Sequence, residues 1–320
     1  MAFRYSDKYK KYSLDMHVNV TRDEFLKQFD PEALAKDIIS TGAEAGMMYI
    51  QSHYGYSYWP TKVGEMHPGL IGNEDAFKRL YDEMHKGGMD VDVYFSMIYN
   101  NWAYDHYPEW RIKDINGNYS RDKGRRFGLC CPNSEGYKKF CRDQIADFTE
   151  YVGPYEAFFA DMTFWPTVCY CDNCRARWEK EVGGEMPRIV NWKDERWKLF
   201  QRKREEWLQD YMQYIYDSVK MVNPGAVVEM QNSTMPASWM MGVTENATIA
   251  SDAVSGDLYG GFSQQTFACK MYYNMTPNLP FNYTTSRCEP SLDEHTTIKS
   301  EVMMKLHAML SFINHGSNIF

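Results

Sequence analysis

The sequence predicts an α/β fold, a (βα)8 TIM barrel that stops within its eighth strand. Three observations carry this. Short β-rich apolar runs alternate with longer amphipathic segments, as parallel strands and covering helices do. The 320 residues suffice for one large barrel. The long stretches 98–134 and 162–190 directly follow the third and fourth runs, where a barrel carries its functional loops.

In chain order, strands are expected at YSLDMHV (12–18), GMMYIQS (46–52), DVDVYFSM (90–97), EAFFAD (156–161), AVVEMQN (226–232), ATIASD (247–252) and PFNYTT (280–285). Helices are expected at 30–45, opening on Asp-Pro, at 73–88, closing on glycines, and at 134–152, 192–222 and 297–316. The final SNIF reads as an eighth strand cut short. One catalytic domain over 1–320 is therefore expected to continue in its parent chain, because an unclosed barrel leaves an exposed edge.

A formal charge of -8 argues against nucleic acid and anionic membranes as partners. With no apolar leader and no run of membrane-spanning length, a cytoplasmic location is expected. Oligomerisation stays open, and nothing calls for an organic cofactor. Aromatic residues make up 16% of the chain, with 9 Trp and 24 Tyr, a surplus that suits stacking on sugar faces.

Eight cysteines are too few for a disulfide scaffold in a chain this long. Cys169, Cys171 and Cys174 nevertheless fall within CYCDNC, three soft donors close enough to share one ion. A fourth would come from elsewhere, and Cys130 and Cys131 lie after the third strand. The pair CPNS (131–134) and CYCDNC (169–174) resembles glycoside hydrolase family 42, the bacterial β-galactosidases. That resemblance implies zinc on Cys131, Cys169, Cys171 and Cys174, with Cys130 outside. Four thiolates leave no open position, so such a zinc would be structural.

Asp161 ends the apolar run EAFFAD, which places a carboxylate at the mouth of a barrel, with Phe164 and Trp165 beside it. The run QSHYGYSYWPTK (51–62) resembles the second-strand motif of family 29 α-L-fucosidases, Lys-His-His-Asp-Gly-Phe followed by Trp-Pro-Ser-Lys. His53, Gly55, Tyr56, Trp59, Pro60 and Lys62 match it; Ser52 and Tyr54 depart from it. His17 in LDMHVN stands where that family has its first-strand histidine. The resemblance implies a retaining exo-glycosidase acting on a terminal sugar of an oligosaccharide or glycoside, with Asp161 as nucleophile. His17, His53, Tyr56, Trp59 and Trp165 would grip the ring.

Retention requires a second carboxyl about 5–5.5 Å away as acid/base. Glu289 is the first choice, with Asp257 and Asp252 as substitutes. Asp252 alternatively reads as a substrate-binding residue, Arg287 as a fork onto a hydroxyl or onto Asp161, and Glu229 as structural. His67, His85, His106, His295 and His307 have no ligand spacing. Three alternatives are a β-galactosidase-like hydrolase, a zinc hydrolase, and a non-catalytic carbohydrate-binding barrel. The last is suggested by Asn282, which stands where a carboxylate would be expected.

Overall fold

The computed structural model describes residues 5–21, 24–276, 280–289 and 296–320. Eight parallel strands close into a barrel in chain order: β1 (Lys10–Ser13), β2 (Ala45–Gln51), β3 (Asp90–Ser96), β4 (Ala157–Asp161), β5 (Val227–Gln231), β6 (Ala253–Asp257), β7 (Phe281–Thr284) and β8 (Gly316–Ile319). Helices α1 (Pro31–Ser40), α2 (Ala76–Lys86), α4 (Glu135–Val152), α6 (Glu195–Val222), α7 (Phe262–Met275) and α8 (Glu301–Ile313) run between strands. The shorter α3 (Asn101–His106) and α5 (Asp172–Glu181) lie inside the loops after β3 and β4. Among the described residues, no helix is long and apolar enough to cross a membrane.

Local chemistry sets the helix starts. Asp30 accepts from Ala33 N at 2.9 Å with Pro31 in the first turn, and Ser134 and Ser300 cap α4 and α8 in the same way. Three expectations change. The first strand ends at Ser13, so His17 lies on the loop above it. The sixth strand is not ATIASD. Thr244 accepts from Asn246 N and starts a 3-10 turn over Glu245–Ala250, so the chain enters the sheet only at Ala253. The eighth strand does not leave an open edge: it pairs β7 at four positions and β1 at two, which closes the ring. His295 lies outside the described residues.

The barrel interior is not wholly apolar. Lys11, Asp92, Glu229 and Asn282 come from β1, β3, β5 and β7, the alternate-strand origin expected of one interior layer. Lys11 Nζ donates to Asn282 Oδ1 at 2.7 Å, and the Asn282 amide donates to Glu229. Tyr5 plugs the base beside Ala45, Ala157 and Val227. Its ring centroid lies 3.4 Å from Lys11 Nζ, and its hydroxyl donates to Asp92 at 3.0 Å. Burial pulls the Lys11 ammonium down to about 8, against the opposing fields of Glu229 and Asp92. The structural reading of Glu229 fits this layer. Asn282 belongs to it too and not to the mouth.

Replacing Lys11 with Met leaves two buried acids without their cation. It should cost ~3–5 kcal/mol in chemical denaturation, and adding Glu229→Gln should recover part of that loss. Equal stability of Lys11→Met and wild type would refute the ionic character of the layer.

Candidate active site

Side chains alternate in direction along a strand, so Asp92, Tyr94 and Ser96 share the inward face of β3, stepping from the base layer to the mouth. At the mouth the Tyr94 hydroxyl donates to Asp161 Oδ2. Asp161 is the last residue of β4 and is only 6% exposed. The next residue, Met162, has φ of 56°, a left-handed conformation seldom taken by a side-chain-bearing residue. That turn aims its N–H at Gln231 Oε1, 3.2 Å away.

Two histidines stand beside this carboxyl. The rings of His17 and His53 lie 3.9 Å apart, and the ligand atoms of His17, His53 and Asp161 all fall within 4.8 Å of one another. Their hydrogen bonds assign the tautomers. Ser96 Oγ donates to Tyr99 O at 2.8 Å, so it accepts from His53 Nδ1–H at 2.6 Å and leaves His53 Nε2 as an acceptor. His17 Nδ1 accepts from His53 N at 3.3 Å, which leaves the proton of the neutral ring on Nε2, 3.5 Å from the Tyr94 hydroxyl. Burial lowers both imidazoles below their ordinary value; His17 and then Arg126 add to this at His53, while at His17 the Asp15 carboxylate opposes it and Arg126 adds to it, and both rings are neutral near pH 7. One donor and one acceptor thus stand side by side, able to grip a single hydroxyl from both ends.

Asp161 is pushed up to about 7. Burial is the main cause and the Asp257 carboxylate the next; the Tyr94 hydroxyl and the Met162 N–H oppose them. Asp257 ends β6 and accepts from Gln231 Nε2 at 2.5 Å and from the Tyr259 hydroxyl. Gln231 therefore bridges the Met162 turn to Asp257. Phe127 packs edge-on to His53 with centroids 4.9 Å apart, and Tyr49 stacks on Tyr94 at 3.7 Å.

Other expected site residues lie elsewhere. Trp59 is fully buried and donates to Asp147 Oδ2 at 2.9 Å; Thr61 Oγ1 and Lys62 N donate to the same oxygen, so the Trp-Pro-x-Lys tail docks its loop onto α4. Tyr56 is half-buried and faces His67, with ring centroids 6.3 Å apart. Trp165 is fully buried and donates to Arg204 O at 2.8 Å, wedged against α6. Asp252 precedes β6 and so lies at the base end, where it accepts from Tyr216 and Val228 N and pairs with Lys220. Arg287 is exposed, 5.6 Å from the Tyr12 ring centroid. Glu289 N donates to Thr297 O at 2.9 Å, and the carboxylates acting most strongly on Asp161 are Asp257 and Asp15 rather than Glu289. Tyr94, Ser96 and Gln231 were missed, although period-two reading of β3 and β5 puts each on the inward face, Ser96 and Gln231 at the strand ends and Tyr94 two residues below.

The four expected cysteines form a second, separate cluster. Cys131, Cys169, Cys171 and Cys174 are all buried, with sulfurs within 4.8 Å of one another; Cys131 lies 3.5 Å from Cys174 and 4.0 Å from Cys169. Tetrahedral thiolates at about 2.3 Å from an ion stand about 3.8 Å apart, so these four side chains could hold a metal ion. Asn133 Nδ2 donates to Cys174 at 3.3 Å, while Cys130 points away, towards Asn100 O. The two histidines with Asp161 also satisfy the distance requirement, but the proton on His17 Nε2 makes them the poorer metal site.

A carboxyl raised above its unfolded value stabilises the fold when protonated, and that stabilisation is lost as pH rises through the folded value. Asp161→Asn keeps an acceptor for Tyr94 and carries no charge. It should leave stability near that of wild type at pH 4, with an advantage of ~1–4 kcal/mol opening between pH 4 and 7 and staying constant above. Thermal unfolding across that range checks it; a gain independent of pH would rule out the buried charge as its cause.

A family model described as Alpha-L-fucosidase matches residues 3–254. Among solved structures, alpha-L-fucosidase isoenzyme 2 from Paenibacillus thiaminolyticus superposes with a TM-score of 0.76 at 16% identity, covering 98% of this chain and 46% of that one. The beta-galactosidase of Halorubrum lacusprofundi gives 0.70 at 14% identity, with 97% and 52% covered. An alpha-L-fucosidase from Bacteroides thetaiotaomicron gives 0.55 at 13%, with 92% and 54% covered. This chain thus spans about half the length of these proteins, and at such identities they share its fold. A search of curated proteins found no match. The family model covers most of the chain, from the N-terminal plug to the start of β6, and on that match the chain belongs to the alpha-L-fucosidase family.

Proposed function

We propose that residues 1–320 form the catalytic barrel of a retaining exo-glycosidase, with α-L-fucosides as its leading substrates and Asp161 as nucleophile. One observation carries this reading: a desolvated carboxyl at the end of β4, held by Tyr94 beside two neutral imidazoles of opposite hydrogen-bonding sense. A terminal sugar seats one hydroxyl between His17 Nε2–H and His53 Nε2, bringing its anomeric carbon to Asp161. The Asp161 oxygen attacks that carbon as the glycosidic oxygen takes a proton and leaves; water then cleaves the glycosyl-enzyme. For the acid/base we favour Asp257 over Glu289, because Asp257 ends β6 at the mouth and shares Gln231 with the Met162 turn that follows Asp161.

The nucleophile works ionised, and Asp161 gives up its proton only near pH 7. The acid limb of kcat/KM should therefore fall close to pH 7, with activity rising through it. Activity that instead declines as pH rises through 7 would make Asp161 the proton donor. Asp161→Ala should lower hydrolysis of nitrophenyl α-L-fucoside by at least about 10³-fold while binding persists. If wild type cleaves nitrophenyl β-D-galactoside and not the fucoside, the galactosidase reading replaces this one.

Zinc is the ion we assign to the cysteine cluster, since four soft sulfurs at tetrahedral spacing match its chemistry and leave no position for water. Its role is structural: Cys131 belongs to the loop after β3, the other three to the loop after β4, and one ion pins the two together. Metal analysis should find one zinc per chain. Cys174→Ser should lose it and unfold at lower temperature, with a smaller effect on KM than on stability. Full zinc occupancy in Cys174→Ser would overturn the assignment.

A further inference from the structure

The loop after β3 carries the run Arg121, Asp122, Lys123, Gly124, Arg125, Arg126, Phe127 in a chain that is otherwise acidic. Its local charges are paired one by one. Arg121 holds Asp105 through both carboxylate oxygens, at 2.7 and 2.8 Å; Lys123 pairs with Asp114; Asp122 accepts from Tyr119 N at 2.8 Å. Among the described residues, Arg125 and Arg126 pair with no carboxylate.

Arg126 is nevertheless held in place. Its Nε and Nη2 donate to the hydroxyl of buried Tyr54 at 2.9 and 2.6 Å, and its guanidinium lies 4.9 Å from the centroid of Phe127, the ring that packs on His53. Through Tyr54 and Phe127 the exposed Arg126 guanidinium is thus fixed at the rim beside the histidine pair, with exposed Arg125 next to it in the chain. A guanidinium anchored on one edge keeps its other N–H groups for a planar oxyanion.

We propose that Arg125 and Arg126 form a leaving-group subsite for an anionic aglycone, a sugar carrying a carboxylate or a sulfate ester next to the bond that is cleaved. The proposal rests on the glycosidase reading above and adds the charge of the substrate's second unit. Asp161, Asp257 and Asp15 also face this mouth, so the anion must bind at the rim, on the arginine side of the histidines.

The test uses Asp161→Asn in the full chain, so that binding is measured without turnover. Three disaccharides with the same terminal fucose are titrated by calorimetry: one with a glucuronate as second unit, its methyl ester, and a neutral second sugar bearing a sulfate ester. The glucuronate should bind at least about tenfold more tightly than the ester at low ionic strength, with the gap narrowing in salt. Adding Arg125→Gln and Arg126→Gln should close that gap while the ester still binds. Comparing the sulfate with the glucuronate shows which oxyanion the rim prefers. Equal binding of acid and ester overturns the subsite and leaves the glycosidase reading standing. A gap that survives both substitutions also overturns it, and binding of none of the three removes the glycosidase reading itself.

Discussion

Everything at the mouth depends on the closure of the ring between β8 and β1. Two register pairs join these strands, Lys10 with Asn318 and Lys11 with Ile319, flanked by the hydrogen bonds Ser13 N to Phe320 O and Asn318 N to Tyr9 O. So short a ladder is reinforced from inside: Lys11 donates across to Asn282 on β7, and Ser317 on β8 donates to the same oxygen. Asn282 in turn reaches Glu229 on β5, and Tyr5 ties Lys11 to Asp92 on β3. A buried cation with two acids and an amide is a costly way to fill a barrel. It is also directional, and direction sets the register in which strands from both halves of the chain meet. His17 follows β1 and Asp161 ends β4, so they come together only if that register holds.

Within this frame the site is a place of stored opposition. Burial and the facing Asp257 carboxylate both work against ionised Asp161, while the Tyr94 hydroxyl and the left-handed turn at Met162 work for it. The balance leaves a carboxyl that titrates near neutrality. The histidines are held neutral by burial and by Arg126, so they contribute hydrogen-bond direction in place of charge.

Part of the aromatic surplus, which by composition suggests sugar stacking, anchors loops instead. Trp59 reaches Asp147, Trp102 reaches Glu65, Trp165 reaches Arg204 O and Trp207 reaches Glu181, each through its indole N–H. Indoles bury a large apolar face and satisfy their single donor on one fixed acceptor, which pins long loops to the helices beneath them. Gly55 serves the same end. With φ of 79° it turns the loop after β2 so tightly that a Cβ there would stand 2.0 Å from Asn100 Oδ1.

The sequence by itself determined the barrel, most of its strands, the cysteine set, and Asp161, His17 and His53. The strands and Asp161 are written in local periods, as apolar runs of strand length and a lone acid at a strand end; Cys131 rather than Cys130, and His17 and His53, came from the resemblance to the two glycosidase families. Tertiary structure alone decided which carboxyl faces Asp161. Asp252 and Asp257 are five residues apart, and the 3-10 turn started by Thr244 shifts the sixth strand so that Asp252 lands at the base and Asp257 at the mouth. It also decided that Trp59 and Trp165 anchor loops, because an indole's partner is set by which helix packs beneath it. Asn282 became a member of the interior layer for the same reason: its neighbours Lys11, Glu229 and Ser317 lie 271, 53 and 35 residues away in the chain, and only closure of the ring brings them together.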